Sequence, residues 1–267
     1  MPATAPATTT TTSPAAVKSM FPQAKSLSMA SSAKPALSLQ ADTKSVATRS
    51  IAPESIKSTT STSTQQSLTA RALFEVLLGI TGKDFVLTAS DDTCARGIVV
   101  QKRGEDKSRA LNKNNLMLFT GEAGDTTQFA EYIQCNTQLY RIRNGMDLST
   151  RAVSSYVRKE LATSLRSRHP YTVNLLIGGV DPKTGTPELY WLDYLSSCVK
   201  LNYAAHGYAS YFCMSTMDRY WKPELSVEEA ISLLKKCLAE LKVRFIGNLP
   251  NFVVKITDKD GIREIEI

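Results

Sequence analysis

The sequence is poor in the residues from which metal sites and disulfide frameworks are built. Its 267 residues include two histidines, His169 and His206, and five cysteines. Neither histidine has a cysteine or carboxylate at ligand spacing, and no two cysteines form a CxxC pair. An odd number of scattered cysteines is typical of buried or semi-buried thiols in a reducing compartment, not of a zinc site or a disulfide framework. We therefore expect no metal ion and no cofactor.

The sequence also lacks the features of membrane and nucleic-acid proteins. No run of 18 apolar residues is present, so we expect no transmembrane helix. The net charge of +7 is concentrated in the first 73 residues, where seven basic side chains face two acidic ones. The rest of the chain carries a net charge of +2 with both signs mixed, which is typical of an ordinary solvated surface. We expect neither a membrane nor a nucleic acid as a partner.

The first 73 residues differ in composition from the rest. Ser and Thr make up 27 of the first 70 residues, which contain no Gly, Cys, Tyr or Trp and a single aromatic residue, Phe21. Such a segment cannot bury enough apolar surface to offset its chain entropy, so we predict a disordered extension over residues 1–73. Its basic, acid-poor composition also allows an organellar transit peptide, and a mispredicted start codon is a third reading. We predict a single folded domain over residues 74–267.

Within that domain, apolar strand-like runs alternate with pairs of amphipathic helices. Strands are predicted over residues 74–80, 85–89, 97–102, 116–119, 171–180, 188–194, 199–204, 251–257 and 262–267. The strands over residues 171–180, 188–194 and 199–204 are predicted to form one β-meander. Helices are predicted from Thr126, with Asp125 as N-cap and Gly145 at the end, from Ser149, within residues 207–221, and from Ser226.

The strands come in antiparallel groups and are too apolar to be solvated on either face, so both faces need covering. Two antiparallel sheets packed together, with a helix layer outside each, satisfy this requirement. The predicted fold class is α+β, as a four-layer αββα sandwich.

Four motifs in this element order resemble the proteasome β-type subunits. They are GEAGDTTQFAEYIQ (Gly121–Gln134), LRSRHPYTVNLLIGG (Leu165–Gly179), AAHGY (Ala204–Tyr208) and DKDGI (Asp258–Ile262). The resemblance covers Phe74–Ile267 and is strongest to the non-catalytic beta-4 branch, also called beta type-2. It implies the N-terminal nucleophile hydrolase fold. Catalytic members of that family begin at a threonine freed by cleavage after a glycine, and its own α-amino group serves as base.

Carried over position by position, the resemblance predicts a remnant of the catalytic site. Glu75 falls at the nucleophile position, Asp91 at the aspartate position and Lys107 at the lysine position. Leu73-Phe74 precedes Glu75, so the Gly-Thr cleavage site is missing. The first serine position falls near Ala209 or Ser210, and the late aspartate and serine positions fall on Phe245 and Asn248. We expect Asp91 and Lys107 to form a structural ion pair, and His206 to be a hydrogen-bonded structural histidine.

The resemblance therefore implies a non-catalytic structural β subunit of the 20S proteasome core particle. Its partners would be the other α and β subunits of stacked seven-membered rings, in the ubiquitin- and ATP-dependent degradation of proteins in cytoplasm and nucleus. The alternative is an active hydrolase of this fold whose nucleophile is exposed by processing of the extension. Thr64 and Thr69 are candidates, but each would leave extra residues before the first strand and misplace its hydroxyl.

Overall fold

The structure is a computed structural model, and it describes residues 75–96 and 99–267. The predicted disordered extension over residues 1–73, with its transit-peptide and start-codon alternatives, lies outside the described residues. Phe74, the predicted first residue of the domain, also lies outside them. Among the described residues, no helix has both the length and the apolar composition needed to cross a bilayer.

Twelve strands are seen in the described part of the chain, and every pairing between them is antiparallel. They are β1 (Leu77–Thr81), β2 (Val86–Asp91), β3 (Cys94–Arg96), β4 (Val99–Lys102), β5 (Ser108–Asn112), β6 (Asn115–Gly121), β7 (Val173–Val180), β8 (Pro187–Leu192), β9 (Cys198–Leu201), β10 (Tyr203–His206), β11 (Phe252–Asp258) and β12 (Gly261–Ile265). Sheet 1 has the order β10-β1-β2-β11-β12, and sheet 2 has the order β5-β6-β7-β8-β9. Strands β3 and β4 form a separate two-stranded ribbon.

Four helices are described, in two consecutive pairs. They are α1 (Ala123–Asn144), α2 (Thr150–Leu165), α3 (Ala209–Tyr220) and α4 (Val227–Arg244). The predicted capping box at Ser226 is present, since its hydroxyl accepts from the backbone of Glu229 and the Glu229 carboxylate accepts from the backbone of Ser226. Helix α1 ends, as predicted, at Gly145, which adopts the left-handed conformation with φ +68°.

The predicted β-meander over residues 171–204 is only partly correct. Residues 199–204 were expected to form one strand, but the chain bends at Asn202 and divides into β9 in sheet 2 and β10 in sheet 1. The carbonyl oxygen of Asn202 accepts hydrogen bonds from both the backbone and the hydroxyl of Thr81. Strand β10 then pairs along β1, so the segment completes the edge of the other sheet.

Three clusters of buried side chains account for the packing. One joins α3 and α4 to a face of sheet 1 and includes Leu78, Leu87, Met217 and Leu234. A second joins α1 and α2 to a face of sheet 2 and includes Phe119, Phe129, Val157 and Leu175. The third draws on strands of both sheets and includes Leu77, Val86, Leu118 and Leu176. Successive residues of β1, such as Leu77 and Leu78, thus enter different clusters, because neighbouring side chains of a strand point to opposite faces of the sheet.

The two sheets approach closely at two glycines, where a larger side chain would meet the opposite sheet. A Cβ on Gly79 of β1 would lie 3.0 Å from the side chain of Leu189 in β8. A Cβ on Gly178 of β7 would lie 2.9 Å from Val86 of β2. The structure is therefore an α+β fold with two antiparallel sheets in contact and four helices, in agreement with the predicted class.

Candidate functional site

Glu75, Asp91 and Lys107 meet at one end of the two sheets. Glu75 stands just before β1, Asp91 ends β2, and Lys107 immediately precedes β5. Lys107 is 3% exposed and Asp91 is 1% exposed, so the positive charge and at least one carboxylate lie in the interior. The sequence predicted all three residues for the same site, and the structure brings them together.

Asp91 and Lys107 form the predicted ion pair. Lys107 Nζ lies 2.7 Å from Asp91 Oδ2 and also donates to the backbone oxygen of Thr93 at 2.8 Å. Asp91 accepts from the backbone N–H groups of Val76 at 2.7 Å and Thr93 at 3.2 Å. Because the remaining polar atoms of both partners are engaged, the pair meets the condition under which a buried ion pair is tolerated.

The carboxyl group of Glu75 is held from the second sheet. Its Oε2 accepts from the hydroxyl of Thr120 at 2.5 Å and from the backbone N–H of Gly121 at 3.3 Å. Its Oε1 lies 3.8 Å from Lys107 Nζ. Thr120 and Gly121 end β6 in sheet 2, so Glu75 ties the start of sheet 1 to sheet 2.

Burial raises the pKa of the Glu75 carboxyl above its ordinary value. The charge of Lys107 and the hydrogen bond from Thr120 oppose this effect, and the nearby charge of Asp91 adds to it. One lysine therefore shares its charge between two acids, of which Asp91 is the closer partner. Protonation of Glu75 is favoured by burial because only Lys107 and Asp91 then carry charges in the cluster, and these two charges compensate each other.

The sequence did not single out Thr120, although it completes the cluster. A hydroxyl that donates to a carboxylate has the form of a nucleophile beside a base. Thr120 is only 1% exposed, however, so its hydroxyl cannot meet a substrate. The sequence signal that could have identified it is the neighbouring glycine, Gly121. In the structure Gly121 has a φ of +147° and an added Cβ would lie 2.1 Å from the Thr172 oxygen, so the end of β6 requires glycine there.

Asp125 is not the N-cap of α1, contrary to the prediction. The helix begins three residues earlier than predicted, at Ala123, with Glu122 at the N-cap position and no side-chain capping bond. The Asp125 carboxylate instead accepts from the backbone N–H of Thr172 at 3.0 Å, while the Glu122 N–H donates to the Thr172 oxygen at 3.1 Å. Asp125 lies in the first helical turn, where its side chain holds the segment that enters β7.

The other predicted remnant positions lie outside this network. Ala209 is the first residue of α3 and Ser210 the second, and the Ser210 hydroxyl donates to the backbone oxygen of Gly207 at 2.8 Å. Asn248 is exposed in the segment between α4 and β11. The Phe245 ring, at the end of α4, lies 6.1 Å from the ring of Phe212. Among the described residues, neither Ser210 nor Asn248 makes a hydrogen bond to the cluster.

His206 is the structural histidine that the sequence predicted. Its Nε2 lies 2.9 Å from the backbone oxygen of Leu175, and its ring stacks on Trp191 at 4.8 Å. Burial lowers the pKa of His206 to about 4, so the ring is neutral at physiological pH. Within residues 75–96 and 99–267, no three His, Cys, Asp or Glu side chains are grouped to hold a metal ion.

Comparison with known proteins gives one family. Residues 75–257 match the family model described as "Proteasome subunit". The chain is 54% identical over 193 residues to "Probable proteasome subunit beta type-4" of Schizosaccharomyces pombe, covering 72% of this chain and 100% of the relative. It is 51% identical over 192 residues to "Proteasome subunit beta type-4" of Saccharomyces cerevisiae, covering 72% and 97%. It is 45% identical over 190 residues to "Proteasome subunit beta type-2-B" of Arabidopsis thaliana, covering 71% and 94%.

Proposed function

Because this chain belongs to the proteasome subunit family, we propose that it is a non-catalytic, structural β subunit of the 20S proteasome core particle. In this role it contributes to ring assembly and to the wall of the proteolytic chamber in ubiquitin- and ATP-dependent protein degradation. The names of the fungal relatives, beta type-4, and of the plant relative, beta type-2-B, support this branch of the family.

The observation that carries the proposal is the carboxyl group of Glu75. It lies beside the Lys107–Asp91 pair, at the position where the resemblance puts the nucleophilic hydroxyl. A carboxyl that accepts two hydrogen bonds and faces a lysine acts as an anchor between the sheets. Among the described residues, the acid that acts on Glu75 is Asp91, which already holds the lysine, so acid–base catalysis by two carboxyls is not supported.

The packing clusters support the finer description of the fold as a four-layer αββα sandwich. In this arrangement α3 and α4 cover the outer face of sheet 1, and α1 and α2 cover the outer face of sheet 2. The third cluster fills the space between the sheets. The cluster around Glu75 then connects the two inner layers at one end.

The proposed partners are the other α and β subunits of the stacked seven-membered rings. Large apolar side chains that face solvent in the isolated chain support such contacts, since buried apolar and aromatic anchors dominate protein interfaces. Ile142 of α1 is 77% exposed, Met146 after it is 61% exposed and Tyr211 of α3 is 77% exposed. Tyr220, at the end of α3, is 40% exposed and adds aromatic surface, whereas the neighbouring Trp221 packs against the core and donates to the backbone oxygen of Thr81.

Affinity purification of the chain tagged at its C-terminus, followed by mass spectrometry, tests this function. We expect the other α and β proteasome subunits in comparable amounts, and recovery of the chain without them would contradict the proposal. A fluorescent tag at the same end tests localisation, which we propose is cytoplasmic and nuclear. A signal confined to an organelle would support the transit-peptide reading instead.

The alternative, an active hydrolase with a nucleophile exposed by processing, makes a different prediction about the mature chain. It requires a mature N-terminus at a Thr, Ser or Cys, such as Thr64 or Thr69 of the extension. Intact-mass measurement of the native subunit distinguishes the two. An N-terminus elsewhere supports the structural role.

A further inference from the structure

A groove runs beside the C-terminal half of α4. It has a volume of about 770 Å³ and lies between the helix and residues 245–252, which lead into β11. One wall consists of side chains at helical spacing, including Lys235, Leu238 and Lys242. The other wall is apolar and includes Leu249 and Phe252. The packing that positions α4 thus leaves a channel open to solvent on its outer side.

Two apolar side chains at the end of α4 are the most exposed of the large apolar side chains that the structure describes. Val243 is 82% exposed and Ile246, which lines the groove, is 92% exposed. Fully burying such a side chain is worth about 1.5–3 kcal/mol. An isoleucine left this open at the mouth of an apolar groove indicates a surface that is covered in the protein's working state.

The charge of the groove has one sign. Lys235 and Lys242 line it, and no acidic side chain is among its lining residues. Neither lysine forms an ion pair with any residue that the structure describes. Lys236, the neighbour of Lys235, turns instead to the ring of Tyr220, 3.9 Å away. The two groove lysines are therefore available to carboxylates from outside.

The backbone beside the groove has N–H groups without a backbone partner in the described part of the chain. Residues 246–249 belong to no helix or strand, and their N–H groups donate to no other described backbone group. The bonds that fix this segment lie at its far end, where Asp92 N–H donates to Asn251 O and the Asn251 amide donates to Asp92 Oδ2. Free backbone donors next to an apolar wall are what an extended peptide requires as it binds.

From the exposed apolar side chains, the two lysines and the backbone N–H groups of the groove, we propose that it binds an extended peptide segment of another proteasome subunit, in which apolar residues are flanked by Asp or Glu. The apolar side chains enter between Leu238 and Phe252, and the carboxylates meet Lys235 and Lys242. The backbone carbonyls of the segment accept from residues 246–249. The identity of the partner as a subunit rests on the proposed function, while the chemistry of the segment rests on the groove.

The test is a photo-cross-link in the assembled particle. The full-length tagged chain is expressed with p-benzoylphenylalanine in place of Ile246, purified, irradiated and analysed by mass spectrometry. We expect a cross-link to a peptide of another subunit that contains apolar residues next to Asp or Glu. The double variant Lys235→Glu/Lys242→Glu should lower the cross-link yield at least about fivefold, because the acidic side chains of the segment would then face carboxylates instead of lysines.

Lys183→Glu, a charge reversal in the exposed turn between β7 and β8, is the matched control and should leave the yield unchanged. Four outcomes would overturn the inference: no cross-link, a cross-link to residues 1–74 of the same chain, one to a segment without acidic residues, or a yield insensitive to the double variant. Recovery of the other subunits is measured before irradiation. Their absence would overturn the proposed function and this inference together, whereas normal recovery without the cross-link would overturn the inference alone.

Discussion

Replacing Lys107 with methionine tests how the buried cluster contributes to stability. Methionine keeps most of the volume of the lysine side chain, so the change removes a charge and creates little cavity. Asp91 then loses the cation 2.7 Å away, and Glu75 loses the one 3.8 Å away. The two carboxyls lie in the interior with exposed side-chain fractions of 2% and 14%, so water cannot replace the missing partner.

The expected loss follows from this burial. Removing one partner of a buried ion pair costs about 3–5 kcal/mol, because the other charge is left uncompensated. For a domain of this size that corresponds to a decrease in Tm of about 6–20 °C. The measurement is urea unfolding of the full-length chain at pH 7, followed by circular dichroism, with thermal unfolding as a second reading.

Lys200→Met is the matched control. Lys200 lies at the same 2.7 Å from Glu188, but its side chain is 50% exposed, so its removal should cost less than about 1 kcal/mol. Asp91→Asn should cost less in the Lys107→Met background than in the wild type, since the asparagine leaves no unpaired charge. A loss below about 1 kcal/mol for Lys107→Met, or equal losses in both lysine variants, would refute this reasoning.

Three further predictions concern the same region and the histidine. Burial raises the pKa of Glu75, so the folded chain keeps a proton that the unfolded chain releases, and stability falls as pH rises through that window. Glu75→Gln removes this loss, so urea unfolding at a series of pH values should show the variant gaining stability relative to the wild type as pH rises above the ordinary glutamate pKa of 4.5; a constant difference would argue against it. The pKa of His206 is lowered to about 4 in the folded chain. As pH falls below 6.5, the ordinary pKa of histidine, the unfolded chain therefore binds a proton at this residue and the folded chain does not. Stability should fall by up to about 3 kcal/mol as pH falls from 6.5 to 4, and His206→Gln should flatten that part of the profile. Gly121→Ala places a Cβ 2.1 Å from the Thr172 oxygen at a φ of +147° and should cost about 3 kcal/mol or more of unfolding free energy. Gly145→Ala, where nothing lies within 4 Å, should cost only about 1 kcal/mol, and similar losses for both would contradict the steric account.

Most of the elements could be predicted from the sequence because their signals are local. Apolar runs predicted most of the strands, and the Ser226 capping box and Gly145 predicted helix ends. The short strands β3 and β5 were not predicted. The division of residues 199–204 between two sheets could not be predicted in this way. It depends on the pairing of β10 with β1, more than a hundred residues earlier in the chain. Asp125 was misread for a similar reason, since its partner, Thr172, belongs to a distant segment.

The site divides in the same manner. Glu75, Asp91 and Lys107 could be placed together because the family resemblance fixes their spacing. The contacts that hold Glu75 came only from the structure. Thr120 belongs to the other sheet, and its role depends on how closely the two sheets approach. The raised pKa of Glu75 follows from burial, which no single position of the sequence reveals.

The most direct measurement of the central claim is covalent labelling in the purified particle with a peptide electrophile directed at N-terminal threonine. The catalytic subunits of the same particle serve as internal positive controls and should gain the mass of the reagent. We expect this chain to keep its unlabelled mass, because Glu75 offers no hydroxyl and Thr120 is buried. An adduct on this chain would contradict its assignment as a non-catalytic subunit.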